Sequence, residues 1–129
     1  MSKKFQILLP VHNEGLSIKK TLLDIYEALK DEIDFEFIIT EDGSTDDTKK
    51  ILNSLKNELP MILISEDKRK YYSLAVLDGV KKATSEFLLI MDSDGQCDPK
   101  DIKSFWKKIN ESDLVCGYRS PRYDYAYRK

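Results

Sequence analysis

The chain has 129 residues, enough for one compact domain, and 41% of them are hydrophobic, enough for a core of its own. Charged residues make up 34% but nearly cancel, leaving a net charge of -2, which argues against a general nucleic-acid binder. The longest purely apolar run, Phe87–Met91, falls far short of the roughly 20 residues a membrane-spanning helix needs.

Read in chain order, Lys4–Val11 (KFQILLPV) is a short apolar run closed by polar HNEG, the pattern of a buried parallel strand. The opening residues lack the full apolar segment and small-residue cleavage site of a signal peptide. Ile18, Leu22, Ile25 and Leu29 then recur at helical spacing. Phe35–Thr40 (FEFIIT) reads as a second strand, and EDGSTDDT supplies turn and capping residues for a helix carrying Ile51, Leu52 and Leu55. Met61–Ile64 reads as a third strand, Leu74–Ala83 as a helix with a less regular stripe, and Glu86–Met91 as a fourth strand. Asp98 followed by Pro99 predicts a capped helix with Ile102, Phe105, Trp106 and Ile109, and Asp113–Gly117 predicts a fifth strand. Strand and helix alternate without linker or repeat, so the expected fold is α/β: a mostly parallel, Rossmann-like sheet with helices on both faces, in one domain over 1–129.

In such sheets ligands bind beyond the carboxyl ends of the strands, and the polar clusters HNEG, EDGSTDD, DSDGQ and GYRSPR all follow predicted strands. Asp92 and Asp94 stand two residues apart at one such tip, so both can point into one cleft. Carboxylates that close repel, and a shared divalent cation relieves the repulsion. Oxygen ligands favour Mg²⁺ or Mn²⁺ over zinc, with substrate phosphates completing the shell. A plain Asp/Gly-rich turn is the competing reading of DSDG taken alone. An EF-hand loop is excluded, because its sixth and twelfth positions would be Cys97 and Lys103. DSDG also resembles the haloacid-dehalogenase pair, but that pair follows the first strand of its fold and this one follows the fourth.

Neither GxxxxGK[ST] nor GxGxxG occurs. His12 is the single histidine, and no nucleophile motif accompanies it; a loop residue without chemical duty is its simplest reading. Cys97 and Cys116 form no CxxC or Cys/His cluster, which suits reduced thiols in a cytoplasmic protein.

Taken in order, LLPVHNEG, ITEDGSTDDT, LLIMDSDGQCDP and CGYRSPR resemble the tips of the inverting, GT-A-fold glycosyltransferases of family 2: a P-x-x-N-E opening, a D-D-G-S-x-D nucleotide element and a D-x-D metal motif. The likeness is greatest to the branch of dolichol-phosphate mannose synthase and bacterial polyprenyl-phosphate glycosyltransferases, through DSDGQCDP and GYRSPRYDYAYRK. The resemblance implies a nucleotide-sugar donor, UDP- or GDP-linked, a lipid-phosphate acceptor and a place at the cytoplasmic face of a membrane. It implies that Asp42 contacts the base, that Glu41 reaches base or ribose, and that Pro10 and Glu14 wall the nucleoside pocket. Asp92 and Asp94 would face ribose and the diphosphate-bound metal, Asp94 as the more direct ligand.

In the basic tail, Arg119, Arg122 and Arg128 are candidates for phosphate, Arg119 in a catalytic role. The interleaved Tyr118, Tyr123, Tyr125 and Tyr127 also suit a membrane surface; a solvated tail is the plain alternative. Single-stranded nucleic acid fits such a tail too, but not the net charge or the other tips.

Two departures stand out. Where the family pattern reads N-x-G-x-G-x-A, this chain keeps Ala75 and Gly79 but replaces the early glycines within KRKYY, Lys68–Tyr72. The chain also stops at Lys129, about where an acceptor half with the usual catalytic base would begin. A donor-binding fragment of a longer enzyme is the favoured expectation, and a non-catalytic nucleotide-sugar-binding module is the alternative.

Overall fold

A computed structural model describes residues 5–117. Four strands, β1 (Phe5–Val11), β2 (Phe35–Glu41), β3 (Met61–Ser65) and β4 (Phe87–Ile90), alternate with four helices. These are α1 (Ile18–Leu29), α2 (Thr48–Leu55), α3 (Tyr72–Lys82) and α4 (Pro99–Lys108). The strands form one parallel sheet in the order β3-β2-β1-β4. This is the expected Rossmann-like α/β arrangement. No helix among the described residues is long and apolar enough to cross a membrane.

Register aligns the strand tips. Val11 lies opposite Glu41, and Glu41 opposite Ser65, so β1, β2 and β3 end together. β4 stops at Ile90, opposite Leu8, where Met91 N–H still donates to Leu8 O at 3.0 Å. The connections that follow β1, β2, β3 and β4 therefore leave the sheet on one edge, HNEG, EDGSTDD and DSDGQ among them.

The two faces are packed unequally, as alternation along each strand dictates. Ile7, Leu9 and Val11 of β1 and Phe37 and Ile39 of β2 meet Ile18, Leu22, Ile25 and Leu29 of α1, Leu52 and Leu55 of α2, and Ile102 of α4. Trp106 closes this layer against Phe5, ring centroids 5.1 Å apart. On the other face, among the described residues, α3 covers β1 and β2. It approaches so closely that a Cβ on Gly79 would lie 2.2 Å from Leu8 Cδ1. The outer side of α3 leaves Leu74, Leu77 and Val80 exposed.

Gln6, fully buried on the α3 face, shows how a polar residue survives there. Its Nε2 donates to Glu36 Oε1 at 2.8 Å, and its Oε1 accepts from Thr84 N–H at 2.8 Å and Ser85 N–H at 3.0 Å. A buried amide so fully paired carries little net penalty, and it pins the turn that feeds β4.

Two expectations change. Asp113–Gly117 forms no strand: Asp113, Leu114, Cys116 and Gly117 are exposed, and Gly117 lies against the Phe105 ring instead of entering the sheet. A strand needs a ladder partner, and this apolar run finds its contact on α4. The third helix starts at Tyr72, two residues before the apolar stripe that predicted it. The α4 cap is as expected, Asp98 Oδ1 accepting from Lys100 N–H at 2.9 Å with Pro99 in the first turn.

Among the described residues, Thr40 Oγ1 is a buried side-chain oxygen without a hydrogen-bond partner. An unpaired buried hydroxyl costs stability that a methyl does not. Thr40→Val is expected to raise the unfolding free energy by about 1 kcal/mol, read as a higher urea midpoint at unchanged slope.

Candidate functional site

The loops after β1 and β2 are sewn together by short side chains. His12 Nδ1–H donates to the Asp42 carbonyl at 2.8 Å, while its Nε2 accepts from Asn13 Nδ2 at 3.3 Å, which defines the tautomer. Asn13, in the left-handed region at φ 51°, places its Oδ1 to accept from Thr45 N–H at 2.8 Å, and its own N–H donates to Ser44 Oγ at 3.0 Å. Glu14 N–H donates to Thr48 Oγ1 at 3.0 Å and Gly15 N–H to Asp46 Oδ2 at 3.1 Å. Asp46 also accepts from the Thr48 hydroxyl and N–H. These bonds, the Thr48 hydroxyl first, hold the Asp46 carboxyl below its usual range.

Glu14 and Glu41, both assigned to ligand by the motif resemblance, have internal partners. Glu14 Oε2 accepts from Ser17 Oγ at 3.0 Å at the start of α1. Glu41 is buried: Oε1 accepts from Ser44 N–H and Oε2 from Ser65 Oγ at 2.7 Å, with Lys49 Nζ 3.9 Å away. Lys49 also donates to the Glu66 carbonyl at 2.7 Å, so β3's loop hangs on the same cluster. Pro10 is half-buried at the register position opposite Thr40.

Asp42, one residue past the end of β2, is the junction. Its Oδ1 accepts from Lys70 N–H and its Oδ2 from Tyr71 N–H at 2.9 Å, with Arg69 Nε 4.0 Å from Oδ2. The loop reaches it only because residue 43 is glycine. Gly43 sits at φ 62°, and a Cβ there would lie 2.5 Å from Arg69 N. Lys70 is held by Glu66 at 2.9 Å and Asp78 at 3.1 Å, and those bonds raise the pKa of its ammonium.

Tyr71 has φ 71° and ψ 167°. That region is essentially reserved for glycine, and occupying it costs about 1–3 kcal/mol. The early glycines of the family pattern are replaced within Lys68–Tyr72, and one of the replacing residues stands in a glycine-type conformation. Arg69 Cζ stands 4.4 Å from the Tyr71 ring centroid, a contact worth about 0.5–1 kcal/mol at an exposed site. The next residue, Tyr72, has a raised phenol pKa, through burial first and the charge of Asp92 second. The start of α3 thus brings the Tyr71 main-chain N–H to Asp42 at the β2 tip and the Tyr72 side chain toward Asp92 beyond β4.

Asp92 and Asp94 are exposed on either side of Ser93, which is buried. This alternation turns both carboxyl groups outward. Asp94 Oδ1 accepts from Gln96 N–H at 3.0 Å across a turn made by Gly95 at φ 77°, and a Cβ on Gly95 would lie 3.2 Å from Thr21 Oγ1 of α1. No group of three or more His, Cys, Asp or Glu positioned for a metal occurs among the described residues. Two outward carboxylates fit a hard divalent ion that keeps most of its shell for water and phosphate, as Mg²⁺ and Mn²⁺ do. Arg119, Arg122 and Arg128 lie outside the described residues. An open hollow lined by Tyr26, Lys30, Glu32 and Pro60 lies at the opposite, amino edge of the strands, away from these tips.

A parallel sheet with acidic tips along its carboxyl edge places the chain in the Rossmann-like α/β class, and its neighbours among solved structures are GT-A glycosyltransferases. TarS of S. aureus in complex with UDP-GlcNAc matches with a TM-score of 0.70 and 26% identity, over 84% of this chain and 31% of that one. A mannosyltransferase of Pyrobaculum calidifontis, in complex with GDP-Man and Mn²⁺, matches with a TM-score of 0.64 and 25% identity, over 73% and 28%. The profile of the family described as Glycosyl transferase family 2 matches residues 6–128, and the chain belongs to that family.

Among curated relatives, a dolichol-phosphate mannosyltransferase of Pyrococcus furiosus is 30% identical over 117 residues, 90% of this chain and 33% of the relative. An undecaprenyl-phosphate 4-deoxy-4-formamido-L-arabinose transferase of Pseudomonas syringae is 29% identical over 132 residues, 98% of this chain and 39% of the relative. The chain spans little more than a third of the length of these two.

Sequence reasoning missed Asn13, Asp46, Arg69 and Tyr71. The motif spacing held a signal for the first two, since HNEG and STDD follow adjacent strands, but nothing local said that they bond each other. Asp46 has a lowered pKa, so its stabilising contribution is full above the unfolded carboxyl value of about 3.9 and drains as pH falls from there through the folded value. Asp46→Asn is expected to be less stable than the parent at pH 7, with the gap closing at pH 2–3 (about one unit or more below that carboxyl value), as read by urea midpoints.

Proposed function

We propose that this chain is the donor-binding part of a metal-dependent, inverting glycosyltransferase that moves a sugar from a UDP- or GDP-sugar to a polyprenyl or dolichyl phosphate at the cytoplasmic face of a membrane. The observation that carries the reading is the outward pair Asp92 and Asp94, at a strand tip of a chain that matches family 2 over residues 6–128. The printed names of the two curated relatives support a lipid-phosphate acceptor, and the two ligand-bound neighbours support a nucleotide-sugar donor.

In this reading Asp42 accepts an N–H of the base, which uracil and guanine offer and cytosine does not at the equivalent ring nitrogen. Pro10 and Glu14 border the nucleoside, and Glu41 supports Asp42 from beneath by tying β2 to β3 and the Ser44 turn. Asp92 and Asp94 hold Mg²⁺ or Mn²⁺, which when bound offsets the charge gathering on the departing nucleoside diphosphate. The acceptor phosphate oxygen forms its bond to the anomeric carbon as the bond from that carbon to the diphosphate oxygen breaks. A phosphate is already ionised, so this step needs no strong base. Arg119, Arg122 and Arg128 bind phosphate, Arg119 in a catalytic role.

Titration calorimetry with UDP- and GDP-sugars, with and without Mn²⁺, tests the site. Binding of one of them is expected to require the metal, and Asp94→Ala should weaken it by at least about tenfold. Metal-independent binding, or affinity unchanged in Asp94→Ala, refutes the assignment. Metal-dependent binding without transfer to a lipid phosphate, in a protein extended by its natural continuation, would leave a nucleotide-sugar-binding module in place of an enzyme.

A further inference from the structure

We infer that the Tyr71 ring is a stacking surface for the donor's nucleobase, an inference that rests on the proposed assignment of Asp42 to that base. Three observations converge. The Tyr71 N–H donates to Asp42 Oδ2 at 2.9 Å, so the ring is tied one residue's length from the base-reading carboxylate. Tyr71 is 63% exposed, with the Arg69 guanidinium carbon 4.4 Å from its ring centroid and Arg69 Nε 4.0 Å from Asp42 Oδ2, so an aromatic surface and a cation are assembled together beside Asp42. The backbone, at φ 71°, is one that glycine adopts without strain and tyrosine does not.

The last point carries the argument. The clasp on Asp42 is made by main-chain N–H groups of Lys70 and Tyr71, and glycine would make it equally well. Burial does not repay the strain, because most of the ring faces solvent, and an exposed cation–π contact is weaker than the strain it accompanies. What the side chain adds is a flat apolar surface at a carboxylate suited to a ring N–H. A purine or pyrimidine stacks on such a surface whatever its substituents, while the hydrogen bond to Asp42 selects among bases.

Stacking and backbone strain predict opposite signs for one substitution, which makes the inference testable on the intact chain. The probes are UDP, GDP and inorganic pyrophosphate, each with Mn²⁺, against the parent and Tyr71→Phe, Tyr71→Leu, Tyr71→Gly and Asp42→Asn. Tyr71→Phe should bind both nucleotides within about twofold of the parent. Tyr71→Leu, equally strained, and Tyr71→Gly, unstrained, should each lose about tenfold for the nucleotide the parent prefers, the size expected of one base–aromatic contact. Pyrophosphate, which has no base, should bind all four Tyr71 forms alike, and Tyr71→Gly should melt no lower than the parent.

The inference is overturned if Tyr71→Gly or Tyr71→Leu binds nucleotide as tightly as the parent, if pyrophosphate affinity falls in parallel, or if Tyr71→Gly melts well below the parent. If Asp42→Asn weakens nucleotide binding and Tyr71→Leu does not, the ring assignment fails alone. If the parent binds no nucleotide, the site assignment fails with it.

Discussion

The carboxylate of Asp42 is the point on which the ligand-facing edge depends. A charge that is almost out of solvent must be matched by donors, and here the donors are two successive backbone N–H groups from a loop 28 residues further on. Satisfying it draws the chain after β3 across Gly43, sets the left-handed turn at Tyr71 and starts α3 at Tyr72. Helix α3 in turn covers β1 and β2, so one hydrogen-bonded charge links a strand tip, a loop and a whole layer of the fold.

The acidic residues of the tips fall into two groups by what they join rather than by type. Glu14, Glu41 and Asp46, whether buried like Glu41 or exposed like Asp46, fasten the chain to itself: Glu14 onto Ser17, Glu41 between β2 and β3, Asp46 between the loops after β1 and β2. Asp92 and Asp94 point outward and keep oxygen available to solvent. Divalent-ion chemistry needs the second group, but the second group has a defined position only because the first has frozen the surrounding turns. Such division of labour explains why an Asp-rich motif can be long while few of its carboxylates face the ligand side.

Much of this was legible in the residues themselves. KFQILLPV, FEFIIT and MILI announce strands because a parallel sheet covered on both faces demands unbroken apolar runs, and Ile18, Leu22, Ile25 and Leu29 announce α1 because only one stripe of that helix is buried. What could not be read was long-range. The bonds of Asn13 to Ser44 and Thr45 span more than thirty residues, and the inward aim of Glu41 depends on Ser65 being its neighbour in register. DLVCG looked like a strand because its composition is right; pairing is decided by an available edge and by competing contacts, and Phe105 supplied the contact. Tyr71 takes a glycine-type conformation that its side chain does not announce.

The contact between Gly79 and Leu8 gives the arrangement a mechanical character. It is the pivot at which α3 rests on the sheet, with no room for even a methyl group. Tyr72 lies seven residues away, about 10 Å along the helix axis at 1.5 Å per residue. A side chain at position 79 large enough to lift the helix would therefore also displace its other end, where Tyr71 N–H bonds Asp42 and Tyr72 stands toward Asp92. The spacing between the β2 and β4 tips and the aromatic pair is in this sense gauged from a distance, by the absence of one side chain in the middle of a helix.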